Sequence, residues 1–327
     1  MAELRLKLAI TAYDHVRDLL DGSLPVEGVA FDAQHPEVEE IFYRQGTAAA
    51  WDVAEFSMGK LLSRIAHGDR RLLALPVFVS RMFRHSAIYV RRGGPIRTPP
   101  DLAGRRVGVP DWTQTAVIYG RGILQDEYGV RLEDVHWLVG NVSGERAGEE
   151  RPLHLPAGVR VTRVDDAPLA ALLAAGDIDA IIFAREPAGF FDADSAIVRL
   201  LPDRSVEEAA YRRTGVFPIM HTLIVRRALA DEHPWLAPRL YAAFEQAKRS
   251  SLARLRSTNV ARVPLPWVAP LAAESASLAG GAPWPYGVAP NRATLQTFLR
   301  YCFEQGVTER PLAIDELFPP EIRAFTG

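Results

Sequence analysis

Short strand patterns alternate with helical patterns along most of this 327-residue chain. The segment LRLKLAI near the start has an apolar residue at every second position, which is typical of a half-buried strand. HPEVEEIFYRQ and SMGKLLSRIAHG have helical spacing, whereas LLALPVFV, SAIYVRR, RRVGVP, DVHWLVG, VRVTRV, IDAIIFA and FPIMHTLIVR are typical of strands. The alternation predicts an α/β fold, and the region after FPIMHTLIVR is expected to be mainly helical.

Charge and cysteine content exclude several classes of protein. The formal net charge is −2, so no general field attracts nucleic acid or anionic lipid. Cys302 is the single cysteine, which rules out a disulfide within the chain. No apolar run approaches the length of a membrane span. We therefore predict a soluble cytoplasmic protein without nucleic-acid or membrane partners, and homo-oligomer formation is left open.

The segment RRVGVPDWTQTAVIYG places polar residues between a strand and a predicted helix of about residues 113–127. The first turn of a helix carries free N–H groups and a partial positive charge, which favours carboxylates or phosphates. Thr113, Gln114 and Thr115 are thus candidates for binding an anionic substrate. The alternative is that these residues, or Asp111, only cap the helix.

The segment SRMFRHSAIYV combines Arg81, Arg84 and His85 with a run that is otherwise apolar. Charges next to buried strands are expected to have a partner, because an unpaired buried charge is costly. Arginine matches the planar shape of a carboxylate with two parallel hydrogen bonds. The two arginines are therefore candidates for carboxylate binding, although a solvated surface bend is the alternative.

Further polar residues follow strands at the positions where open α/β sheets bind ligands. The sequence places Tyr13, Asp14 and His15 after the first strand, Glu55 and Ser57 at the end of another, Arg185 and Glu186 after IDAIIFA, and His221 inside FPIMHTLIVR. The loop PWPYGVAPNR adds Trp284, Tyr286 and Arg292, which suit stacking on an aromatic ring. His221 could equally be a core histidine, and Arg185 could pair with Glu186. No HxH, HExxH or cysteine cluster is present, so we predict no dedicated metal site.

The chain resembles the 4,5-dihydroxyphthalate decarboxylase family in LPVFVSRMFRHSAIYV, DLAGRRVGVPDWTQTAVIYGRGILQDEYGV, TGVFPIMHTLIVR and WPYGVAPNR. Weaker similarity extends through YDHVRDL, FDAQHPEVEEIFYR, WDVAEFSMGKLL and IDAIIFAREP, so the resemblance covers most of the chain. It implies a two-lobed type II periplasmic-binding-protein-like fold with the ligand cleft between the lobes. Lobe one would be residues 1–88 plus 222–327, lobe two would be the inserted residues 89–221, and hinge crossings would lie near 85–92 and 217–226.

The resemblance also implies an activity, the decarboxylation of an aromatic dicarboxylate, 4,5-dihydroxyphthalate, to 3,4-dihydroxybenzoate and CO₂ without a cofactor. His85 and His221 are then the expected acid and base, and Asp14 is a spare proton carrier. Substrate binding is expected from Arg81, Arg84, Tyr13, Ser57, Thr113, Gln114, Thr115, Arg185, Trp284, Tyr286 and Arg292. The alternative function is a cytoplasmic or exported solute-binding protein for a small aromatic or carboxylate ligand, without catalysis.

Overall fold

The computed structural model describes residues 3–143, 153–260 and 262–325. Its strands are β1 Leu4–Ala9, β2 Val29–Gln34, β3 Val53–Ser57, β4 Leu72–Arg81, β5 Ile88–Arg91, β6 Arg106–Val109, β7 His136–Gly140, β8 Arg160–Val164, β9 Ala180–Ile182, β10 Ile197–Arg199 and β11 Ile219–Arg226. Its α-helices are α1 Arg17–Leu20, α2 Val38–Ala48, α3 Met58–Ala66, α4 Thr115–Tyr128, α5 Leu169–Ala175, α6 Arg204–Thr214, α7 Arg227–Glu232, α8 Leu236–Leu255, α9 Val268–Leu278, α10 Arg292–Glu304, α11 Ile314–Leu317 and α12 Pro320–Arg323. The predicted α/β alternation and the helical region after β11 are thereby confirmed.

The first sheet has the strand order β2-β1-β3-β11-β4. Strand β1 pairs in parallel with β2 and β3, and β11 pairs antiparallel with β3 and β4. The alternation in β1 has the predicted consequence, since Leu6 and Leu8 are buried while Arg5 and Lys7 are exposed. Because β11 runs opposite to its neighbours, its first residues lie at the same edge of the sheet as the last residues of β3 and β4.

The second sheet has the order β10-β5-β9-β6-β7-β8. Strands β9, β6, β7 and β8 pair in parallel with one another, whereas β5 is antiparallel to both β9 and β10. The chain passes from the first sheet to the second through residues 82–87 and returns through residues 215–218. The two passages join the sheets close to the predicted crossings. That the sheets are the cores of two lobes which move against each other stays a prediction.

Four of the described strands and α-helices were not predicted from the sequence: α1, β2, β10 and α6. The capping prediction for α4 was wrong, because its N-cap residue is Gln114 and no side chain makes a capping hydrogen bond there. The N-cap of α3 is Ser57, whose hydroxyl accepts a hydrogen bond from the backbone N–H of Lys60. The polar, Gly-rich segment GNVSGERAGEERPLHLPAG, residues 140–158, has the composition of a loop and lies partly outside the described residues. Within the described ranges, the model has no helix that is both long and apolar enough to span a bilayer.

Candidate active site at the edge of the first sheet

A cluster of polar side chains lies at the edge of the first sheet where β1, β3 and β4 end. Glu55 and Ser57 are in the last residues of β3, and Tyr13 follows β1. His221, the third residue of β11, is paired in register with Ser57 on one side and Ser80 on the other. The antiparallel insertion of β11 between β3 and β4 therefore brings a histidine to the carboxyl edge of the sheet, where ligands bind in open α/β folds.

Glu55 is the centre of this cluster and is completely buried, with 0% exposure. Its Oε2 atom accepts hydrogen bonds from the Tyr13 hydroxyl at 2.8 Å and from Nδ1 of His221 at 3.0 Å. Its Oε1 atom accepts the backbone N–H of Thr11. The Tyr13 hydroxyl lies 3.4 Å from the same His221 nitrogen. A buried carboxylate that accepts three hydrogen bonds is held in one orientation, and so are its donors.

The electrostatics of the cluster keep Glu55 ionised. Burial alone would raise the pKa of Glu55, but the hydrogen bonds from His221 and Thr11 outweigh it, and the net shift is downward. Burial and the neighbouring Glu55 carboxylate raise the pKa of Tyr13 well above its ordinary value, so the phenol stays protonated and acts as a donor. Glu55 therefore fixes the proton of His221 on Nδ1.

The second nitrogen of His221, Nε2, is the one available to a ligand. All hydrogen bonds between His221 and the described residues involve Nδ1. The His221 side chain keeps 17% exposure, which leaves part of the imidazole in contact with solvent. An imidazole anchored through one nitrogen and open at the other has the geometry of a general acid or base.

Aromatic rings surround the open side of the cluster. The Phe42 ring meets the His221 ring edge-on, with centroids 4.8 Å apart. His15 stacks on Tyr13 at 5.1 Å and meets Trp284 at 5.5 Å. Burial lowers the pKa of His15 to about 4, so this imidazole is neutral near pH 7. These rings give the cluster an apolar border suited to a flat aromatic molecule.

The helix α4 follows strand β6 of the second sheet, and its start lies directly against the start of α3. The Thr115 hydroxyl is 3.0 Å from the Ser57 hydroxyl and accepts the backbone N–H of Gly59 at 3.0 Å. A Cβ atom at Gly59 would lie 2.3 Å from the backbone oxygen of Thr113, so only glycine allows this approach. The first N–H groups of α4 have no acceptor within the helix, and they lie beside Ser57 at the same edge as His221.

Other residues predicted from the second sheet also reach the first. Arg185 follows β9 and its Nη2 atom is 3.0 Å from Oε1 of Glu39, at the start of α2. Lys60 of α3 pairs with Asp111 at 2.9 Å. Thr113 donates its hydroxyl and backbone N–H to the same Asp111. The structure thus brings Tyr13, Ser57 and His221 close to the start of α4, and Arg185 to a contact between the two sheets' regions.

Arg81 and Arg84 were expected to bind a substrate carboxylate, but their hydrogen bonds go to other parts of the protein. Arg81 is buried and donates to the backbone oxygens of Pro285 and Phe217, at 3.0 and 2.7 Å. Arg84 is buried and donates to the sulfur of Met220 and the backbone oxygen of Ala184. Burial lowers the pKa of each arginine to about 10. Both guanidinium groups therefore tie the two passages between the sheets to neighbouring loops.

His85 is separated from the cluster by the length of α4. Its Nε2 atom is 3.1 Å from Glu127, near the C-terminal end of that helix, whereas Thr115 at the other end contacts Ser57. Twelve residues of α-helix span about 18 Å, so the helix places the two histidines at opposite ends. The structure therefore does not bring together His85 and His221, the acid and base expected from the resemblance.

The remaining candidates lie outside the hydrogen-bonded cluster. Asp14 accepts from Ser251 and pairs with Arg17; burial raises the pKa of Asp14, but these contacts outweigh it and the net shift is downward. Trp284 donates to the backbone oxygen of Phe78 and borders His15. Arg292 is exposed at the first residue of α10.

Tyr286 is buried, and its ring lies 4.2 Å from the Lys248 ammonium. Gln114, at the start of α4, has a buried side-chain oxygen for which the described part of the chain offers no hydrogen-bond partner. Within the described residues, no group of three His, Cys, Asp or Glu side chains could hold a metal ion.

Two functional candidates received no role from the sequence. Glu55 lies near the end of β3, and His15 follows β1. No local pattern indicates that Glu55 pairs with His221, which is 166 residues away. Phe42 was predicted only as part of the apolar face of α2. A carboxylate in the last residues of an otherwise apolar strand was the signal that favoured Glu55.

The arrangement of sheets has solved counterparts, although no family model matches the chain. The chain is similar to the alkanesulfonate-binding protein SsuA from Xanthomonas axonopodis pv. citri bound to MOPS, at 15% identity and a TM-score of 0.52 over 95% of this chain and 96% of that one. It is also similar to the desulfurization enzyme DSZB, at 17% identity and a TM-score of 0.51 over 98% and 97%. The fold is thus of the two-lobed type II periplasmic-binding-protein-like class, as predicted.

Two curated relatives define the family. The chain is 38% identical over 324 residues to the 4,5-dihydroxyphthalate decarboxylase of Comamonas testosteroni, covering 98% of each chain. It is 35% identical over 206 residues to the 4,5-dihydroxyphthalate decarboxylase of Pseudomonas putida, covering 62% of this chain and 79% of that protein. The chain belongs to the 4,5-dihydroxyphthalate decarboxylase family, which confirms the resemblance found in the sequence.

Proposed function

We propose that this protein removes one carboxylate from 4,5-dihydroxyphthalate, giving 3,4-dihydroxybenzoate and CO₂. The names of both curated relatives support this substrate and reaction. The structural observation that carries the proposal is the pair formed by His221 and the buried Glu55, with Nε2 of His221 open. Loss of CO₂ from an aromatic ring requires a proton in its place, and this pair is built to deliver one.

The proposed reaction begins with protonation of the ring carbon that carries the leaving carboxylate. The hydroxyl para to that carbon pushes electrons into the ring, and protonated His221 gives the Nε2 proton to the carbon. The bond to the carboxylate then breaks, CO₂ leaves, and the electron pair of that bond restores the aromatic ring. The net change is one proton taken up per CO₂ released. Glu55 stabilises the cationic form of His221 before the transfer and holds the ring in place.

The two carboxylates of the substrate require positive partners, because burying an unpaired charge costs several kcal/mol. We assign this role to the N–H groups at the start of α4 and to Arg185, with Ser57, Thr113, Gln114 and Thr115 as neighbouring polar groups. Arg185 pairs with Glu39 at 3.0 Å and exchanges that partner for a substrate carboxylate in this proposal. Arg81 and Arg84 contribute to binding indirectly in this proposal, by holding the passages between the sheets.

His15 is the proposed hydrogen-bond acceptor for the phenol, since it is neutral near pH 7 and shares Tyr13 as a neighbour with His221. A pKa of about 4 makes it too weak a base to remove the phenol proton, which therefore stays on the substrate. His85 and Asp14 have no role in proton transfer in this proposal, because His85 contacts Glu127 and Asp14 pairs with Arg17. Two mobile lobes, residues 1–88 plus 222–327 and residues 89–221, stay part of the proposal, as does a cytoplasmic location.

A binding function without catalysis is the second candidate. The observation that favours it is the similarity of the fold to a sulfonate-binding protein. The same fold is also found in the desulfurization enzyme, so the fold does not decide between binding and catalysis. The pairing of His221 with Glu55 favours the enzyme.

The test is direct. The purified, chelator-treated protein is incubated with 4,5-dihydroxyphthalate, and CO₂ and 3,4-dihydroxybenzoate are measured over time. We expect turnover without added metal. Failure to turn over, together with a rise in melting temperature on adding the substrate, would favour the binding function. Activity restored only by a divalent metal would keep the decarboxylase and overturn the cofactor-free scheme.

A further inference from the structure

A cavity of about 620 Å³ lies between α8 and the loop at 281–290. We call it the α8 cavity. Its polar lining comes from α8 and the residue that follows it, with Glu245, Lys248, Arg249 and Arg256, and its opposite wall includes Trp284 and Tyr286. The residues of the catalytic cluster, Tyr13, Glu55 and His221, do not line it. The α8 cavity thus has a lining of its own, and Trp284 lies between it and His15 of the cluster.

The lining of the α8 cavity is positively charged. Three cationic side chains and one carboxylate line it, which leaves an excess of two positive charges. Glu245 is already shared, since it accepts from Lys248 at 2.6 Å and from Arg249 at 3.0 Å. Arg256 has no acidic partner among the described residues. An anion that enters the cavity would thus meet cations whose charge the protein compensates only in part.

Lys248 points most clearly to a missing ligand. It is buried, with 5% exposure, and its ammonium carries three N–H donors. Within the described part of the chain, the one acceptor of these donors is Glu245. The ring of Tyr286 lies 4.2 Å from the ammonium, and the buried Tyr286 hydroxyl has no partner either. Buried polar groups are normally satisfied, so these open donors favour a bound acceptor.

The remaining walls of the α8 cavity are apolar and flat. Trp284, Pro283, Pro285 and Pro290 lie on the loop side, and Leu252 is on α8. Proline and tryptophan surfaces suit the face of an aromatic ring, whereas the cations suit a carboxylate. A sulfate or phosphate would use the cations but leave these apolar surfaces uncovered.

We propose that the α8 cavity is a second binding site, for a small aromatic carboxylate. Lys248 and Arg256 bind the carboxylate, and the ring lies against Trp284 and the neighbouring prolines. The proposal does not depend on catalysis at His221, because its charged side chains are a different set, although Trp284 borders both sites. Aromatic dicarboxylates and monocarboxylates share this chemistry, so a binding experiment decides which of the two the site prefers.

Calorimetric titration of the full chain with phthalate, and separately with benzoate, tests the proposal. We expect a binding event that Arg256→Gln weakens about tenfold, since a charge-assisted hydrogen bond is lost. Ala253→Trp fills the cavity from α8 and is expected to remove the same event. Arg160→Gln, at an exposed position in β8, is the matched control and is expected to change nothing. A stronger response to phthalate identifies a dicarboxylate, and a stronger response to benzoate a monocarboxylate.

Unchanged affinities in both Arg256→Gln and Ala253→Trp would overturn the second site. Circular dichroism and melting temperature establish that each variant is folded. Decarboxylase activity is measured on the same samples. A protein without activity that still binds phthalate in an Arg256-dependent way would contradict the proposed reaction and leave the second site standing.

Discussion

His221 and His85 each contact a glutamate, but the two pairs lie in different environments. Each imidazole is paired with a glutamate, at 3.0 Å for Glu55 and 3.1 Å for Glu127. Glu55 is completely buried, whereas Glu127 is also paired with Arg213 at 2.9 Å. The His221 side chain keeps 17% exposure at the sheet edge, and the His85 side chain keeps 4% with its Nδ1 atom buried and unpaired.

The difference teaches that a histidine and a carboxylate in contact are not enough to define an active site. The second nitrogen must also reach a space that can hold a substrate. His221 meets that requirement because the antiparallel strand β11 carries it to the carboxyl edge of the first sheet. His85 lies at the other end of α4, where its contact with Glu127 ties the first passage to the helix.

The largest expected effect separates the two histidines. We expect His221→Gln to lower kcat about 10³-fold, because glutamine cannot donate the proton that replaces CO₂. His85→Gln is the matched control, and its kcat is expected to fall less than about threefold if the variant is folded. Steady-state assays of CO₂ release measure both. Equal losses in the two variants, with unchanged melting temperatures, would contradict the distinction drawn between them.

Much of this comparison was open to prediction from the sequence, but its outcome was not. Strand endings located Tyr13, Ser57 and Arg185, and the apolar pattern of β11 located His221. The pairing of His221 with Glu55 depends on the register between β11 and β3, which no local pattern encodes. The same limit applies to Arg81 and Arg84, whose acceptors are backbone oxygens and a sulfur from distant segments, groups that carry no sequence signature.

A smaller effect is expected from the carboxylates. Glu55→Gln keeps the size of the side chain but removes the negative charge that stabilises protonated His221. We expect kcat to fall about 10²-fold, since the carboxylate positions the imidazole and does not transfer the proton itself. Glu127→Gln is the control.

The value of kcat per folded molecule distinguishes a positioning role for Glu55 from a purely structural one. A structural role would lower the amount of folded enzyme and leave kcat of the remainder unchanged. If Glu55→Gln kept the wild-type kcat per folded molecule, the proposed support of His221 would be wrong. If Glu127→Gln lowered kcat as far as Glu55→Gln, the two glutamates would have to be assigned the same role.

The smallest expected effect is on stability, and it follows from the lowered pKa of Glu55. The folded protein holds Glu55 ionised at a pH where the unfolded chain already binds a proton. The ionised group therefore contributes stability above its ordinary pKa of 4.5, and this contribution is lost as the pH falls below that value. The corresponding contribution of Glu127 has the same sign, because His85 and Arg213 outweigh burial there as well and lower its pKa. Glu127 is more exposed, so solvent screening makes its contribution smaller.

Urea unfolding at pH 7 and pH 4 measures this contribution. Between these two values, the unfolding free energy of the wild type should fall by at most about 0.8 kcal/mol more than that of Glu55→Gln. The corresponding difference between the wild type and Glu127→Gln should be smaller. The comparison uses the change in each unfolding free energy between pH 7 and pH 4. This change does not contain the pH-independent cost of burying either side chain, which would otherwise mask the difference. A steeper acid loss in Glu55→Gln than in the wild type would require a raised pKa for Glu55, and a neutral Glu55 could not stabilise protonated His221.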